Sequence, residues 1–281
     1  MTFWRAFPIA SSTRCPASTE SCTTFRPSRR APSNGNDMDA RPVHRFYRDR
    51  HKHGPWHTFR VQVEQTDLWV RADTDLSGRT HDLVLTYRRQ ILHYSRTVPA
   101  FLTALTPLPD DPLAPDIVRR MLDAAHKAHV GPMAAVAGAI AQAVAEGLTP
   151  YTRSVIVENG GDCYAAADED LVVAIYPGEE SPFRDRLALK LSAQDLPVAV
   201  CTSSGTLGHS LSFGRADAAT ILSRDAALAD ACATALGNRI RREDDLEPAL
   251  AWAQSVPGVL GAVAVCGHRL AAWGRIELTV P

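Results

Sequence analysis

The sequence contains no CxxC pair and no long apolar run. Its six cysteines are too scattered for a zinc ribbon or a thioredoxin-type site, and no apolar stretch approaches the roughly 20 residues that span a bilayer. The formal net charge is only -1 over 281 residues, so no overall field attracts nucleic acid or an anionic membrane. These absences predict a cytoplasmic globular protein with reduced thiols that binds neither nucleic acid nor membrane.

The N-terminal segment lacks the apolar pattern that a fold needs. Residues 1–37 hold only two acids, Glu20 and Asp37, and are rich in Ser, Thr, Pro and Arg. Such a segment buries too little apolar surface to offset the entropy lost on ordering. We therefore expect residues 1–43 to be a disordered or wrongly assigned extension, with translation starting at Met38, and residues 44–281 to form one domain.

Short strands and helices alternate along the rest of the chain without the regular spacing of βαβ units. This order predicts an α+β fold in which helices, two of them Ala-rich, cover one large and mainly antiparallel sheet. The predicted strands are a hairpin over 57–73 turning near Gln65–Thr66, strands over 154–159, 171–177, 187–192, 198–204 and 216–223, and three closing strands. The predicted helices span 80–105, kinked or divided at Pro99, 115–128, 133–147, 225–238 and 244–255.

The first candidate site is the segment ENGGDCY, residues 158–164. A predicted strand runs directly into Asn159, Gly160, Gly161 and Asp162. Paired glycines allow positive φ and let a ligand approach the backbone closely. Asn-Gly and Gly-Asp are also hairpin-turn signals, and taken alone the segment favours a simple turn.

The second candidate site is the segment CTSSGTLGHSLSFG, residues 201–214. A predicted buried strand ends in Thr202, Ser203, Ser204 and Gly205, and His209 follows. Hydroxyls and exposed amides in a Gly-containing loop suit phosphate oxygens. The segment is not a Walker loop, and a polar surface loop remains an equal alternative.

The third candidate site is the Ala-rich helix that follows Ser223, a predicted N-cap. Asp230 and Thr234 stand four residues apart and therefore share a helix face. Ala233 and Gly237 flank that face with almost no side chain, which leaves room for a metal ion or a phosphate. Hard cations such as Mg²⁺ prefer oxygen ligands of this kind. A solvent-facing Asp on a packing helix is the alternative interpretation.

The fourth candidate site is the segment VGPMAAVAGAIAQ, residues 130–142. Gly131-Pro132 precedes a helix whose free amides and dipole favour an anion. Tight helix packing through small residues is the alternative interpretation of the same composition.

In chain order, GAIAQ, NGGD, TSSG with a following His, and ALADACATALG resemble the motifs of the ApbE-like superfamily. The resemblance covers roughly residues 45–280. Its transferase members move FMN from FAD to a protein hydroxyl. The combination of ENGGD with GHSLSFGRADA is closer to a shorter branch of that superfamily, which lacks the transferase lysine, than to the transferases. A T-fold-related α+β architecture is the fold that the resemblance implies.

The resemblance also implies a cofactor arrangement. Mg²⁺ would be held by Asp230, Thr234 and the backbone carbonyl of Ala233. The diphosphate of FAD, or of another flavin nucleotide, would lie against residues 159–162 and residues 202–205. Asp230 and His209 would be the catalytic residues, with His209 as a donor or proton shuttle. A protein hydroxyl would accept the FMN phosphoryl group as magnesium offsets its charge.

Several residues depart from the transferase pattern. Gln142 stands where transferases carry a lysine, and loss of that cation removes charge neutralisation from phosphoryl transfer. Gly205 is followed by Thr-Leu-Gly, so the SGxYER signature is missing, and HxxDPxTG is reduced to HSLSFG. These departures predict a pocket that survives with the transfer chemistry lost or changed.

Three functions follow from these residues. The leading hypothesis is a magnesium-assisted protein that binds a flavin or another phosphate-bearing ligand, as an FMN transferase or a relative with altered chemistry. The second is a non-catalytic binding or accessory module for a redox enzyme. The third is a hydrolase that uses Ser204 or Cys201 with His209, although no GxSxG elbow is present.

Overall fold

A computed structural model describes residues 5–6, 56–205 and 214–281. The predicted N-terminal extension therefore lies almost wholly outside the described residues. His209 lies outside them as well, together with the rest of residues 206–213. The site residues on the two Ala-rich helices, the Gly-Gly turn and residues 202–205 all fall inside the described ranges.

Twelve strands form two antiparallel sheets in the described part of the chain. They are β1 Arg5–Ala6, β2 His57–Val63, β3 Thr66–Ala72, β4 Val155–Asn159, β5 Asp162–Ala166, β6 Leu171–Ala174, β7 Ala188–Leu191, β8 Val198–Ser203, β9 Ala218–Ser223, β10 Val259–Cys266, β11 Arg269–Gly274 and β12 Glu277–Thr279. The large sheet has the order β1-β11-β10-β9-β8-β5-β4-β3-β2, and the small sheet has the order β12-β7-β6. The predicted large antiparallel sheet is confirmed.

Within the described ranges, five α-helices cover one face of the large sheet. They are α1 Ser77–Thr97, α2 Asp116–Ala128, α3 Val136–Leu148, α4 Ala226–Arg239 and α5 Leu246–Ser255. Alternate residues along a strand point to opposite faces. Val155 and Val157 of β4 pack into the helical core, whereas Ile156 packs into a second core beneath the small sheet. The large sheet is therefore the middle of three layers, and both its faces are apolar.

No single helix in the described ranges is both long and apolar enough to cross a membrane. The segments Asp116–Ala128 and Pro132–Tyr151 meet the length and composition only when they are joined, and they are bent by 107° at the break.

The secondary structure differs from the predictions at identifiable points. The first hairpin turns at Glu64 and Gln65, where Glu64 has a φ of 51°. The first helix ends at Thr97, and Pro99–Leu102 forms a separate 3-10 helix, so Pro99 divides the predicted helix. The strands predicted over 171–177 and 187–192 pair with each other outside the large sheet. Strand β5 was not predicted, because DCYAA lacks a run of β-branched residues.

Candidate functional site

The Gly160-Gly161 segment is a two-residue hairpin turn between β4 and β5, as the turn signals favoured. Asn159 pairs with Asp162 across the turn, and the two glycines have φ angles of 72° and 110°. Side chains are strained at positive φ, so glycine is required at both positions. The turn places Asn159 and Asp162 directly opposite each other, and both are buried.

The end of β8 lies beside this turn. A methyl group built at Gly161 would be 3.4 Å from the carbonyl oxygen of Thr202, and Asp162 pairs with Cys201. The Cys201 thiol and the Thr202 amide lie close enough to the Asp162 carboxyl to favour its charged form. The hydroxyls of Thr202 and Thr220 lie 2.9 Å apart. The first and second candidate segments therefore meet in the structure.

Helix α4 lies against the same strand end. A methyl group built at Gly237 would be 3.7 Å from the Ser203 hydroxyl, and the Cys201 thiol donates to the carbonyl of Ala226 at 3.6 Å. Asp230 and Ala233 are buried and Thr234 is half-buried. Ser203 and Ser204 are half-buried and Gly205 is exposed. The third candidate segment thus faces the second.

Asp230 caps the N-terminus of α3. Its Oδ2 accepts the amide of Gly138 at 2.9 Å, and the amide of Ala137 also donates to this carboxyl. The sequence predicted an anion at a helix opened by Gly131-Pro132, but the structure has a 3-10 helix over Pro132–Ala135 there and α3 begins at Val136. At the start of α3 the protein's own carboxylate satisfies these two amides. A carboxylate offers about four acceptor positions, so two amide bonds leave capacity for a metal ion.

Gln142 forms the reciprocal contact from α3 to α4. Its Oε1 accepts the amide of Ala226 at 2.7 Å, and its Nε2 donates to Glu146 at 2.8 Å. The N-cap of α4 is Asp225, which accepts from Leu228. The predicted cap, Ser223, instead donates to the carbonyl of Gly258. The residue in the lysine position is therefore neutral, buried and engaged at both ends of its amide.

The electrostatics of this region are dominated by buried acids. Burial raises the pKa of Asp230 to about 7, despite the opposing amide bonds from Gly138 and Ala137. Burial also raises the pKa of Asp162 well above its usual range, and the charge of Asp230 adds to this rise. The pKa of the Cys201 thiol is raised for the same reason, which weighs against Cys201 as a nucleophile.

These residues fit a hard divalent cation. Two buried carboxyls and the half-buried hydroxyl of Thr234 supply oxygen ligands, which Mg²⁺ prefers. Within the described ranges, no group of three or more His, Cys, Asp or Glu side chains is placed to hold a metal. A metal here would therefore need hydroxyl, carbonyl, water or ligand oxygens in addition to the two carboxyls.

A surface concavity of about 630 Å³ lies at the opposite end of β3, β4 and β5. Its lining residues are Asp73, Asp168 and the segment from Thr149 to Arg153. None of the predicted site residues lines it, and the Gly160-Gly161 turn is a full strand length away. We therefore place the candidate site at the turn end of the strands.

The structure brings all four of the predicted segments together and adds contacts that sequence reasoning missed. The predicted residues that meet or lie next to this region are Asn159, Gly160, Gly161, Asp162, Thr202, Ser203, Ser204, Gly205, Asp230, Ala233 and Thr234. The sequence did not predict the contact in which the Oε1 of Glu158 accepts the Gly161 amide at 2.7 Å. For the amides of Ala137 and Gly138, the sequence predicted only that a helix N-terminus in this segment has free amides. No pattern of residue types marks either contact in the sequence.

The three-layer fold, with small-residue helices over a Gly-Gly turn, defines a member of the ApbE-like superfamily. The apo structure of the flavinyl transferase ApbE from Pseudomonas stutzeri superposes with a TM-score of 0.52 at 13% identity, covering 78% of this chain and 94% of that one. At this identity the match shows the shared fold.

The family is shown by sequence. The family model described as AbpE bacteria matches residues 48–270, and this chain belongs to that family. A UPF0280 protein of Methanocella arvoryzae is 41% identical over 224 residues, which are 79% of this chain and 91% of the relative. Another from Methanothrix thermoacetophila is 42% identical over 196 residues, which are 69% and 81% of the two chains.

Proposed function

We propose that this protein binds the diphosphate part of a flavin nucleotide, with Mg²⁺ held between α4 and the ends of the neighbouring strands. The observation that carries the proposal is the convergence of Asp230 on α4 with the Gly160-Gly161 turn and the end of β8. The fold shared with a flavinyl transferase supports a flavin as the ligand. The protein would work in the cytoplasm, on a small phosphate-bearing ligand.

The proposed roles follow from the chemistry of each group. Asp230, Thr234 and the carbonyl of Ala233 hold the metal, which neutralises diphosphate charge when it is bound. The hydroxyls of Ser203 and Ser204 and the backbone of Gly205 donate to phosphate oxygens. Asn159 and the Gly160-Gly161 turn line the site next to Ser203, Ser204 and Gly205. His209 donates to the ligand or carries a proton.

The surroundings of Gln142 favour ligand binding without phosphoryl transfer as a second candidate function. Gln142 is 7% exposed and its side-chain amide is hydrogen-bonded to Ala226 and Glu146, so it places no cation beside a diphosphate. Transfer depends on neutralising the charge that develops on the phosphoryl group. A binding or accessory module for a redox enzyme needs no such cation.

A titration of the purified protein with FAD tests the proposal. We expect saturable quenching of flavin fluorescence in Mg²⁺, with affinity at least about tenfold weaker in EDTA, equivalent to roughly 1.4 kcal/mol. Asp230→Asn keeps an acceptor for the α3 amides but removes the charge, so it should bind FAD equally in both buffers. Asp168→Asn, at an exposed acid beyond the far end of the strands, is the matched control and should behave as wild type.

The absence of saturable FAD binding in both buffers would contradict the proposal. Release of AMP from FAD in the presence of cell extract distinguishes the two candidate functions. Binding with no AMP release supports the accessory module, whereas Mg²⁺-dependent release that Asp230→Asn abolishes supports the transferase.

A further inference from the structure

We infer that Asp162 is a second carboxylate ligand of the metal site, beside Asp230, and not a contact to phosphate. The inference rests on the proposed function for the identity of the metal. It goes further by assigning Asp162 to the cation, and by requiring that the cation bind when no nucleotide is present.

The register of the hairpin places Asp162 on the side of the sheet that faces α3 and α4. Asp162 pairs directly with Asn159, and directly opposed residues point to the same face with their Cβ atoms about 5 Å apart. The Asn159 side chain donates to the carbonyl of Ala137 at 3.1 Å. The adjacent amide, that of Gly138, binds Asp230. Asn159 thus links the hairpin to the helix end that holds Asp230, and Asp162 lies beside it.

The turn is better suited to a cation than to a phosphate. The resemblance implied a diphosphate against residues 159–162, but the Gly161 amide donates to the Glu158 carboxylate at 2.7 Å. Asp162 lies on the face that looks towards α3 and α4, so a phosphate placed against the turn would meet its carboxylate. Carboxylate oxygens are ordinary ligands for Mg²⁺ and Ca²⁺. The phosphate contacts of the site therefore fall on Ser203, Ser204 and Gly205, whereas the Thr202 hydroxyl is paired with Thr220 on the opposite face of the sheet.

The two buried acids need a compensating charge. Both acids are buried, and among the residues that the structure describes no Lys, Arg or His forms an ion pair with Asp162 or Asp230. A buried carboxylate without a cationic partner is costly to ionise. A divalent cation bound between the two carboxyls neutralises both, and Thr234 offers a third oxygen from the same face of α4.

The test is a titration of nucleotide-free, full-length protein with Mn²⁺, in which loss of the free-ion electron paramagnetic resonance signal reports binding. We expect one saturable site that Mg²⁺ displaces. Asp162→Asn and Asp230→Asn should each weaken Mn²⁺ binding at least about tenfold, because each removes one charged ligand. Asn keeps an acceptor for the Thr202 amide, and circular dichroism and Tm report whether each variant folds.

Glu158→Gln is the matched control. Glu158 belongs to the same hairpin and contributes the same charge, but it alternates with Asn159 along β4 and therefore points to the opposite face. Gln can still accept the Gly161 amide. We expect its Mn²⁺ affinity to stay within about threefold of wild type, since the lost charge lies on the opposite face of the sheet and does not contact the cation.

Three results would overturn the inference: wild-type Mn²⁺ affinity in folded Asp162→Asn, an equal loss in Glu158→Gln, or Mn²⁺ binding that requires FAD. The last result leaves the proposed function standing. Conversely, Mn²⁺ binding that depends on both aspartates, combined with a flat FAD titration, supports the two-carboxylate site and contradicts the flavin proposal.

Discussion

Asp73 and Asp230 lie at opposite ends of the sheet, and each accepts hydrogen bonds from backbone amides. The pKa of Asp73 is lowered, whereas the pKa of Asp230 is raised. Asp73, which is exposed, accepts the amides of Arg153 and Ser154 at 2.8 and 3.3 Å. Partial burial raises the pKa of Asp73. The two amide bonds and a third bond from the Thr152 hydroxyl outweigh the effect of burial, so the pKa is lowered. At Asp230 the amide bonds do not overcome burial, and the pKa rises to about 7.

The difference agrees with the metal-binding role proposed for Asp230 and with a purely structural role for Asp73. Water and three donors stabilise the charge of Asp73, so nothing further is needed there. Asp230 is 9% exposed and lies close enough to Asp162 for its charge to raise the pKa of that second acid. An acid kept at a raised pKa is a mark of functional sites, because a fold selected only for stability would replace or pair it.

The largest expected effect comes from Gly138, which brings α3 close enough for Asp230 to cap it. A methyl group there would lie 2.2 Å from the carbonyl oxygen of Ala226 and 2.9 Å from the Cβ of Asp230. Because backbone must move, Gly138→Ala should lower the free energy of unfolding by about 3 kcal/mol or more, as for strong overpacking. Urea denaturation measures this.

Gly78→Ala is the control for Gly138→Ala. A methyl group at Gly78, in the first turn of α1, meets nothing within 4 Å. It should leave stability unchanged or raise it by up to about 1 kcal/mol through helix propensity. If both variants were equally stable, the close α3–α4 contact that defines the Asp230 cap would be wrong.

The next effect is a gain in stability from removing the Asp230 charge in metal-free protein. Because its folded pKa is raised, the native state loses stability as pH rises from about 4 to about 7, and the penalty persists above that window. Asp230→Asn should therefore be more stable than wild type by about 2 kcal/mol near pH 8 in EDTA, less than the full pKa shift implies because the new amide is itself buried. Thermal unfolding in EDTA across this range measures the difference.

The dependence of this stability gain on pH and on Mg²⁺ serves as its control. The gain should shrink as pH falls through this window and vanish below about pH 3, where the wild-type acid is protonated in both states. Added Mg²⁺ should raise the Tm of wild type but not that of Asp230→Asn. A variant that is less stable than wild type at every pH would make Asp230 a structural cap like Asp73.

The sequence predicted the parts of this region that depend on local residue types. Paired glycines after a strand require a turn with positive φ, and Ala-rich runs predict helices, so Gly160, Gly161 and α4 were placed correctly. It did not predict that Asp230 caps α3 or that Gln142 caps α4, because each contact joins residues more than 80 positions apart. The Glu158 contact was not predicted for another reason, because a Glu beside a turn is usually solvated.

The smallest expected effect is the loss of the Asp73 charge. Because its folded pKa is lowered, Asp73 contributes stability above its unfolded pKa and loses it as pH falls through the folded value. Asp73→Asn keeps one acceptor but loses the charge, so near pH 7 it should cost only about 1 kcal/mol at this exposed position. Urea denaturation near pH 7 and near pH 3 should show the cost vanish in acid. If Asp230→Asn raises stability while Asp73→Asn lowers it, burial, and not hydrogen bonding, separates the two acids. A change of stability in the same direction for both variants would remove the distinction.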